Sequence, residues 1–247
     1  MTAALATTGL THRFGGLIAA NNVSITLPVG ARHALIGPNG AGKTTLINLL
    51  TGVLRPSAGT ITLNGVDITA LRPDRRVAAG LVRTFQINQL FPALTPLQSA
   101  ALAVARSLGV DGNLWRRLDR RPDVVEAAVE VLERFNLLDV MTQPVATLPY
   151  GRQRLLEIAL AVACGPKVLL LDEPAAGVPE TERDGILAGI AALPRDVSVL
   201  MIEHDMDLVF RFAERILVLA GGSVLVEGTP AEIAADPRVR EVYLGHD

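Results

Sequence analysis

Nine residues carry the strongest chemical signal in this chain: Gly37-Pro38-Asn39-Gly40-Ala41-Gly42-Lys43-Thr44-Thr45. They fit the pattern G-x-x-x-x-G-K-[ST], a loop whose backbone N–H groups cradle phosphates. Glycines let those N–H groups converge without Cβ clashes. Lys43 would reach the terminal phosphates, and the Thr44 hydroxyl would help hold Mg²⁺. A helix starting here would add its positive N-terminal dipole. Lys43 is one of only two lysines in 247 residues, the other being Lys167. Positive charge elsewhere comes from arginine, so a lysine in the loop reads as required by function.

Two further sets of polar residues end apolar strands. Asp172 and Glu173 follow Val168-Leu169-Leu170-Leu171. Adjacent carboxylates at a buried strand end are costly unless a cation or hydrogen bonds meet them. Asp172 would orient a Mg²⁺ shell, and Glu173 would polarise a water for attack on a γ-phosphate. His204 follows Val197 to Ile202 and could sense that phosphate. Gln86, after Leu81 to Phe85, could ligate Mg²⁺ or position the water.

The elements around these residues define an α/β frame. Arg32 to Ile36 reads as a buried strand before the loop, and Thr45 to Leu50 as a helix after it. Thr7 to Phe14, Asn22 to Leu27 and Thr60 to Leu63 read as strands, the last ending in an Asn64-Gly65 turn. Helical spacing spans Ser99 to Gly109 and Asp123 to Leu138, with Val110 to Pro122 as an irregular link between them. Further helices are expected over Leu155 to Cys164, Glu182 to Leu193 and within Pro230 to Leu244. Arg215 to Leu219 and Ser223 to Val226 suggest a hairpin around Gly221-Gly222. Alternating strands and helices predict a mainly parallel core sheet, with ligands beyond the carboxyl ends of its strands. The middle of the chain reads as an inserted helical subdomain, about 87–164. The core and a β-subdomain would use about 1–86 and 165–247.

Composition agrees. The chain is 49% hydrophobic but 4% aromatic, with net charge −2. An aliphatic core suits buried parallel strands, and no basic stripe marks a nucleic-acid surface. Arg116-Arg117 with Arg120-Arg121 is the densest basic cluster and reads as a solvated helix face. The single cysteine, Cys164, reads as a small core residue and fits a reducing compartment. Met1 to Leu5 lacks the charged and apolar regions of a signal peptide. The apolar stretch Leu155 to Leu171 is broken by Glu157, Pro166 and Lys167, so nothing is expected to span a membrane.

Three segments together resemble the ATPase subunits of ABC transporters: Gly37 to Thr45, Leu148-Pro149-Tyr150-Gly151-Arg152-Gln153-Arg154, and Val168 to Pro174. The resemblance covers essentially the whole chain. It implies a P-loop ABC-type fold with an N-terminal antiparallel β-subdomain. It implies that Phe14 stacks on adenine, Glu173 is the general base, and His204 is the switch histidine. Gln86 would sense Mg²⁺ and touch a membrane partner. Leu148, Pro149, Tyr150, Gly151 and Arg152 would contact nucleotide bound to a second ATPase subunit, so that two ATPs lie between two subunits.

Arg13-Phe14-Gly15-Gly16-Leu17, Phe85-Gln86 with Leu90 to Thr95, Asp172 to Gly177, and Glu227 to Pro230 with Asp236 to Val239 look like the branched-chain amino-acid importers. That resemblance implies permease subunits, an external binding protein, and a site on the cytoplasmic face of the membrane. Leu90, Phe91 and Leu94 would suit docking to a membrane-protein helix.

Two segments depart from the family pattern, the signature and the loop after Gly177. Pro149 stands where a serine is usual, and it has neither hydroxyl nor N–H. Arg152 replaces the usual glutamine and could supply its own charge to the phosphate. Val178-Pro179-Glu180 stands where an Asp or Asn often crosses the dimer interface. These changes keep open a subunit that hydrolyses weakly and needs a different ATPase partner. A soluble ABC ATPase of DNA repair or translation is the other alternative. The span from Gln86 to Leu148 is too short for a repair-type coiled coil, and there is one phosphate loop rather than two.

Overall fold

A computed structural model describes residues 3–84, 90–110 and 121–244. The chain forms two compact units. The first comprises residues 1–83, 167–173 and 195–247, and the second 84–166 and 174–194.

The first unit holds two sheets. One is antiparallel, with strand order β2-β1-β4-β5. It uses β1 (Ala3–Phe14), β2 (Leu17–Pro28), β4 (Ala58–Leu63) and β5 (Val66–Asp67). Asn64 and Gly65 turn between the last two with φ 48° and 79°, the left-handed pair that a two-residue hairpin requires.

The other sheet contains β3 (Arg32–Ile36), β6 (Leu81–Arg83), β7 (Val168–Asp172), β8 (Ser198–Ile202), β9 (Arg215–Ala220) and β10 (Ser223–Gly228), in the order β10-β9-β3-β8-β7-β6. Its pairs are parallel except the β9–β10 hairpin. Every residue of β3 and β8 is buried. That explains the apolar runs Ala34 to Ile36 and Val199 to Ile202, since strands covered on both faces need no polar side. The mainly parallel core and the N-terminal antiparallel sheet are the α/β architecture expected from sequence.

Helix α1 (Lys43–Thr51) follows β3 and buries Leu46, Ile47, Leu49 and Leu50. Its far end is capped by Arg76, a fully buried residue of α2 (Pro73–Ala79). Arg76 donates to the carbonyls of Leu49 and Leu50 at 2.7 and 2.6 Å, and to those of Thr69 and Leu71. A cation on C-terminal carbonyls adds to their hydrogen bonding and complements the helix dipole. The expected helical tail is two helices, α8 (Pro230–Ala235) and α9 (Pro237–Leu244). A Thr229–Glu232 capping box starts α8.

The second unit is helical: α3 (Pro96–Ser107), α4 (Pro122–Arg134), α5 (Tyr150–Ala163) and α6 (Glu180–Ala191). Helix α4 stops four residues before the expected Leu138. Asn136 takes a left-handed φ of 54°, and a 3-10 turn follows over Leu138–Val140. Helix α5 starts five residues before the expected Leu155, with Pro149 as N-cap. Gly151 and the polar residues 152–154 hide that first turn from apolar periodicity. Cys164, expected in the core, caps α5 and is only half-buried; burial still raises its thiol pKa.

Candidate functional site

The loop from Gly37 to Gly42 connects β3 to α1, the strand–loop–helix context its glycines require. Two positions exclude any side chain. Gly42, the α1 N-cap, has φ 98°, and a Cβ there would strike the carbonyl oxygen of Ala19. A Cβ on Gly37 would strike that of Leu219. Lys43 folds over the loop, its Nζ donating to the carbonyls of Gly37 and Pro38 at 2.5 and 3.0 Å. Burial lowers its pKa, while the carboxylates of Glu173 and Asp172 push it back up. No acidic residue occupies the first turn of α1, so the dipole there is left for an anion.

The loop forms one wall of a cleft of about 590 Å³. Asn39 to Thr45 line it together with Phe14, Leu17, Ile18 and Glu173. Phe14, Asn39 to Thr45 and Glu173 are separated in sequence, yet the fold brings them to one cleft. Phe14 is 49% exposed, and its ring is braced edge-on against His12 at 4.5 Å. An exposed aromatic face at the mouth of a phosphate-binding cleft can stack on a base.

Asp172 ends β7. Glu173 follows with φ 46°, a left-handed conformation uncommon outside glycine. Its N–H donates to the carbonyl of Ile202 at 2.9 Å, holding the turn against that cost. Such backbone strain is a feature of functional sites. The imidazole Nδ1 of His204 lies 3.7 Å from Glu173 Oε1 and 3.7 Å from Glu203 Oε2. Strands β7 and β8 are parallel neighbours with Asp172 opposite Ile202, so their ends deliver these residues side by side. Gln86 lies outside the described residues.

The expected partner-facing segment belongs to the second unit. Leu148 is buried, so its side chain is core, while its carbonyl accepts from Gln153 Nε2 at 2.9 Å. Tyr150 and Gly151 open α5, and the Tyr150 ring lies against Gly177. The Arg152 guanidinium is engaged within the chain. It pairs with both Asp139 oxygens at 3.2 and 3.1 Å and donates to the carbonyl of Asn136. Two turns are locked further by Arg154, which is fully buried, pairs with Glu157 at 2.5 Å, and donates to the carbonyl of Pro174. Phe91 is 67% exposed, while Leu90 and Leu94 are half-buried.

Three residues near the loop and strand ends escaped the sequence reading. Arg83 reaches Asp172; the signal was an arginine on an otherwise apolar strand. Glu203 is buried, and its Oε2 accepts from the backbone N–H of His204. Its place beside His204 was visible, its burial was not. Tyr243 on α9, 37% exposed, accepts a hydrogen bond from the Gly37 backbone, and desolvation of its hydroxyl end raises its pKa to about 12. Nothing local in sequence links a tail tyrosine to residue 37.

Comparison with known proteins agrees with this geometry. Residues 20–176 match the ABC transporter family, and residues 223–247 match the branched-chain amino acid ATP-binding cassette transporter family. The chain belongs to the ABC transporter family, as an ABC-type ATPase subunit. It is 41% identical to the high-affinity branched-chain amino acid transport ATP-binding protein BraF of Pseudomonas aeruginosa, over 98% of this chain and 97% of that protein. It is 40% identical to the corresponding LivG protein of Escherichia coli K12, with the same coverage. Among solved structures, the ADP conformation of an ATP-binding cassette of an ABC transporter superposes with a TM-score of 0.86, at 30% identity over all of both chains.

Proposed function

We propose that this chain is the ATP-hydrolysing motor of an importer for branched-chain or related hydrophobic amino acids. The observation that carries the reading is the single cleft joining Phe14, the 39–45 loop and Glu173, in a chain whose homology to such transport proteins runs almost end to end. Phe14 stacks on adenine, the loop N–H groups and Lys43 hold the phosphates, and Glu173 accepts the proton of the attacking water. His204 turns toward the γ-phosphate.

The donors near the loop suit Mg²⁺. Thr44 and Asp172 offer hard oxygen ligands, and Mg²⁺ in phosphate sites takes one or two carboxylates plus phosphate and water. When bound, Mg²⁺ would neutralise charge on the β- and γ-phosphates. Gln86 is assigned to the same shell from family resemblance.

No helix among the described residues is long and apolar enough to cross a membrane. As a transport motor the chain would sit on the cytoplasmic face against permease subunits, with exposed Phe91 available for contact and a binding protein on the far side. A second ATPase subunit would complete the nucleotide site. Co-purification with the permease subunits and ATP-driven uptake of labelled leucine into vesicles test the reading. Coupled uptake of an unrelated solute would overturn the amino-acid assignment.

The engaged Arg152 bears on the altered signature. To touch a partner's phosphate it must leave Asp139 and Asn136. Arg152→Ala is therefore expected to keep ATPase activity within about twofold. Its exposed ion pair contributes less than about 1 kcal/mol of stability. A large loss of ATPase activity with an unchanged melting temperature would instead give the guanidinium a role at the partner's nucleotide.

A further inference from the structure

We propose that Arg83 is a positioning residue that sets the direction of the Asp172 carboxylate relative to helix α1, and so the geometry offered to Mg²⁺. The proposal rests on reading Thr44 and Asp172 as the Mg²⁺ pair.

Arg83 is the last residue of β6, beside β7 and opposite Leu170. Its guanidinium forks. Nη2 donates to Asp172 Oδ2 at 2.6 Å, and Nη1 donates to Asn48 Oδ1 at 2.9 Å. The arginine and aspartate side chains are each only 14% exposed, so solvent screens the pair far less than a surface bridge. Asn48 is the informative partner. It lies four residues after Thr44 on α1, and residues four apart share a helix face. One rigid group thus spans the strand end bearing Asp172 and the helix face bearing Thr44.

A planar fork with two separated donors suits this task better than a point charge. Lysine would supply the charge but hold one partner at a time. Groups that orient a metal ligand without touching the metal tune affinity strongly, typically 10- to 100-fold. A simple charge effect predicts the opposite sign. Removing a cation beside a metal site relieves repulsion and should tighten Mg²⁺ binding.

The test is a Mg²⁺ titration of fluorescent ADP binding to the full chain, alongside ADP affinity in excess EDTA. For Arg83→Gln the Mg²⁺ half-saturation should rise about tenfold, while ADP affinity in EDTA stays within about threefold. Arg83→Lys should show a similar rise despite keeping its charge. Asn48→Ala leaves the Asp172 contact in place and should shift half-saturation the same way by less, which keeps the test open if the arginine variants fold poorly. An unchanged or lowered half-saturation in Arg83→Gln, or full recovery in Arg83→Lys, would overturn the proposal. Wild-type binding that ignores Mg²⁺ would overturn the underlying Thr44–Asp172 assignment as well.

Discussion

Glu173→Gln is expected to lower ATP turnover by about 10²- to 10⁴-fold, the range general-base removal costs, while nucleotide still binds. The amide matches the carboxylate in shape but cannot take a proton from water. The charge also faces the His204 imidazole at 3.7 Å and Lys43, but the turn itself does not depend on it. The left-handed backbone at residue 173 is held by a main-chain bond to Ile202, which the substitution leaves alone. Lys43 keeps Asp172 as a second carboxylate in its surroundings. Loss of a negative group beside the phosphates should favour ATP retention. Light scattering on the variant with Mg²⁺-ATP then reads out assembly. An ATP-dependent dimer would mean that the segment starting at Leu148, with Pro149 as helix cap, closes a working site with its own kind. A monomer that holds ATP would point to a different ATPase partner. Turnover at the wild-type rate would remove Glu173 from the role of base and leave His204 or Gln86 to be examined.

What could be read in the sequence and what could not divide along physical lines. The loop, Asp172, Glu173 and His204 were legible because each follows an apolar run that can only be a buried strand, and strand ends in parallel sheets converge. Phe14 was legible only through family resemblance. Its presence at the cleft depends on antiparallel pairing of β1 with β2 and β4, which no local pattern fixes. The start of α5 was misplaced because its first turn is polar and its cap is a proline. Helix α7 (Met206–Phe212) was missed although Asp205 accepts from the N–H groups of Asp207 and Leu208, a capping signal hidden behind the interest of His204. The Arg83 fork and the Arg76 cap were out of reach for a deeper reason. Both are long-range contacts, one from an arginine in a polar helix and one from an arginine ending an apolar strand, and burial of a guanidinium is decided by tertiary carbonyls and carboxylates.

Lys43→Ala is expected to weaken ADP and ATP binding by about 30-fold or more, while the nucleotide-free protein keeps its stability within about 1 kcal/mol. The first part follows from truncating a partly buried charge partner of phosphate, which costs about 2–5 kcal/mol. The second part runs against intuition, because Lys43 makes two hydrogen bonds to the carbonyls of Gly37 and Pro38. Its pKa is nevertheless lowered, with burial as the largest cause. A lysine whose pKa falls on folding binds its proton less tightly in the folded state, so its charge opposes folding at neutral pH. Stability from this group therefore rises as pH climbs toward the unfolded value of 10.5, and below that range the charged form is a net cost. The two carbonyl bonds offset this desolvation. Alanine removes the bonds and the cost together, and the Pro38 carbonyl keeps a bond from the Ala41 N–H at 3.2 Å. Calorimetric titration of ADP and thermal melting of the nucleotide-free variant check the two halves separately. A variant that binds ADP as tightly as wild type would show that the loop N–H groups and the helix dipole alone hold the phosphates. A variant that melts far below wild type would show that Lys43 is a structural strut of the loop, and its affinity loss could then no longer be assigned to the phosphate contact.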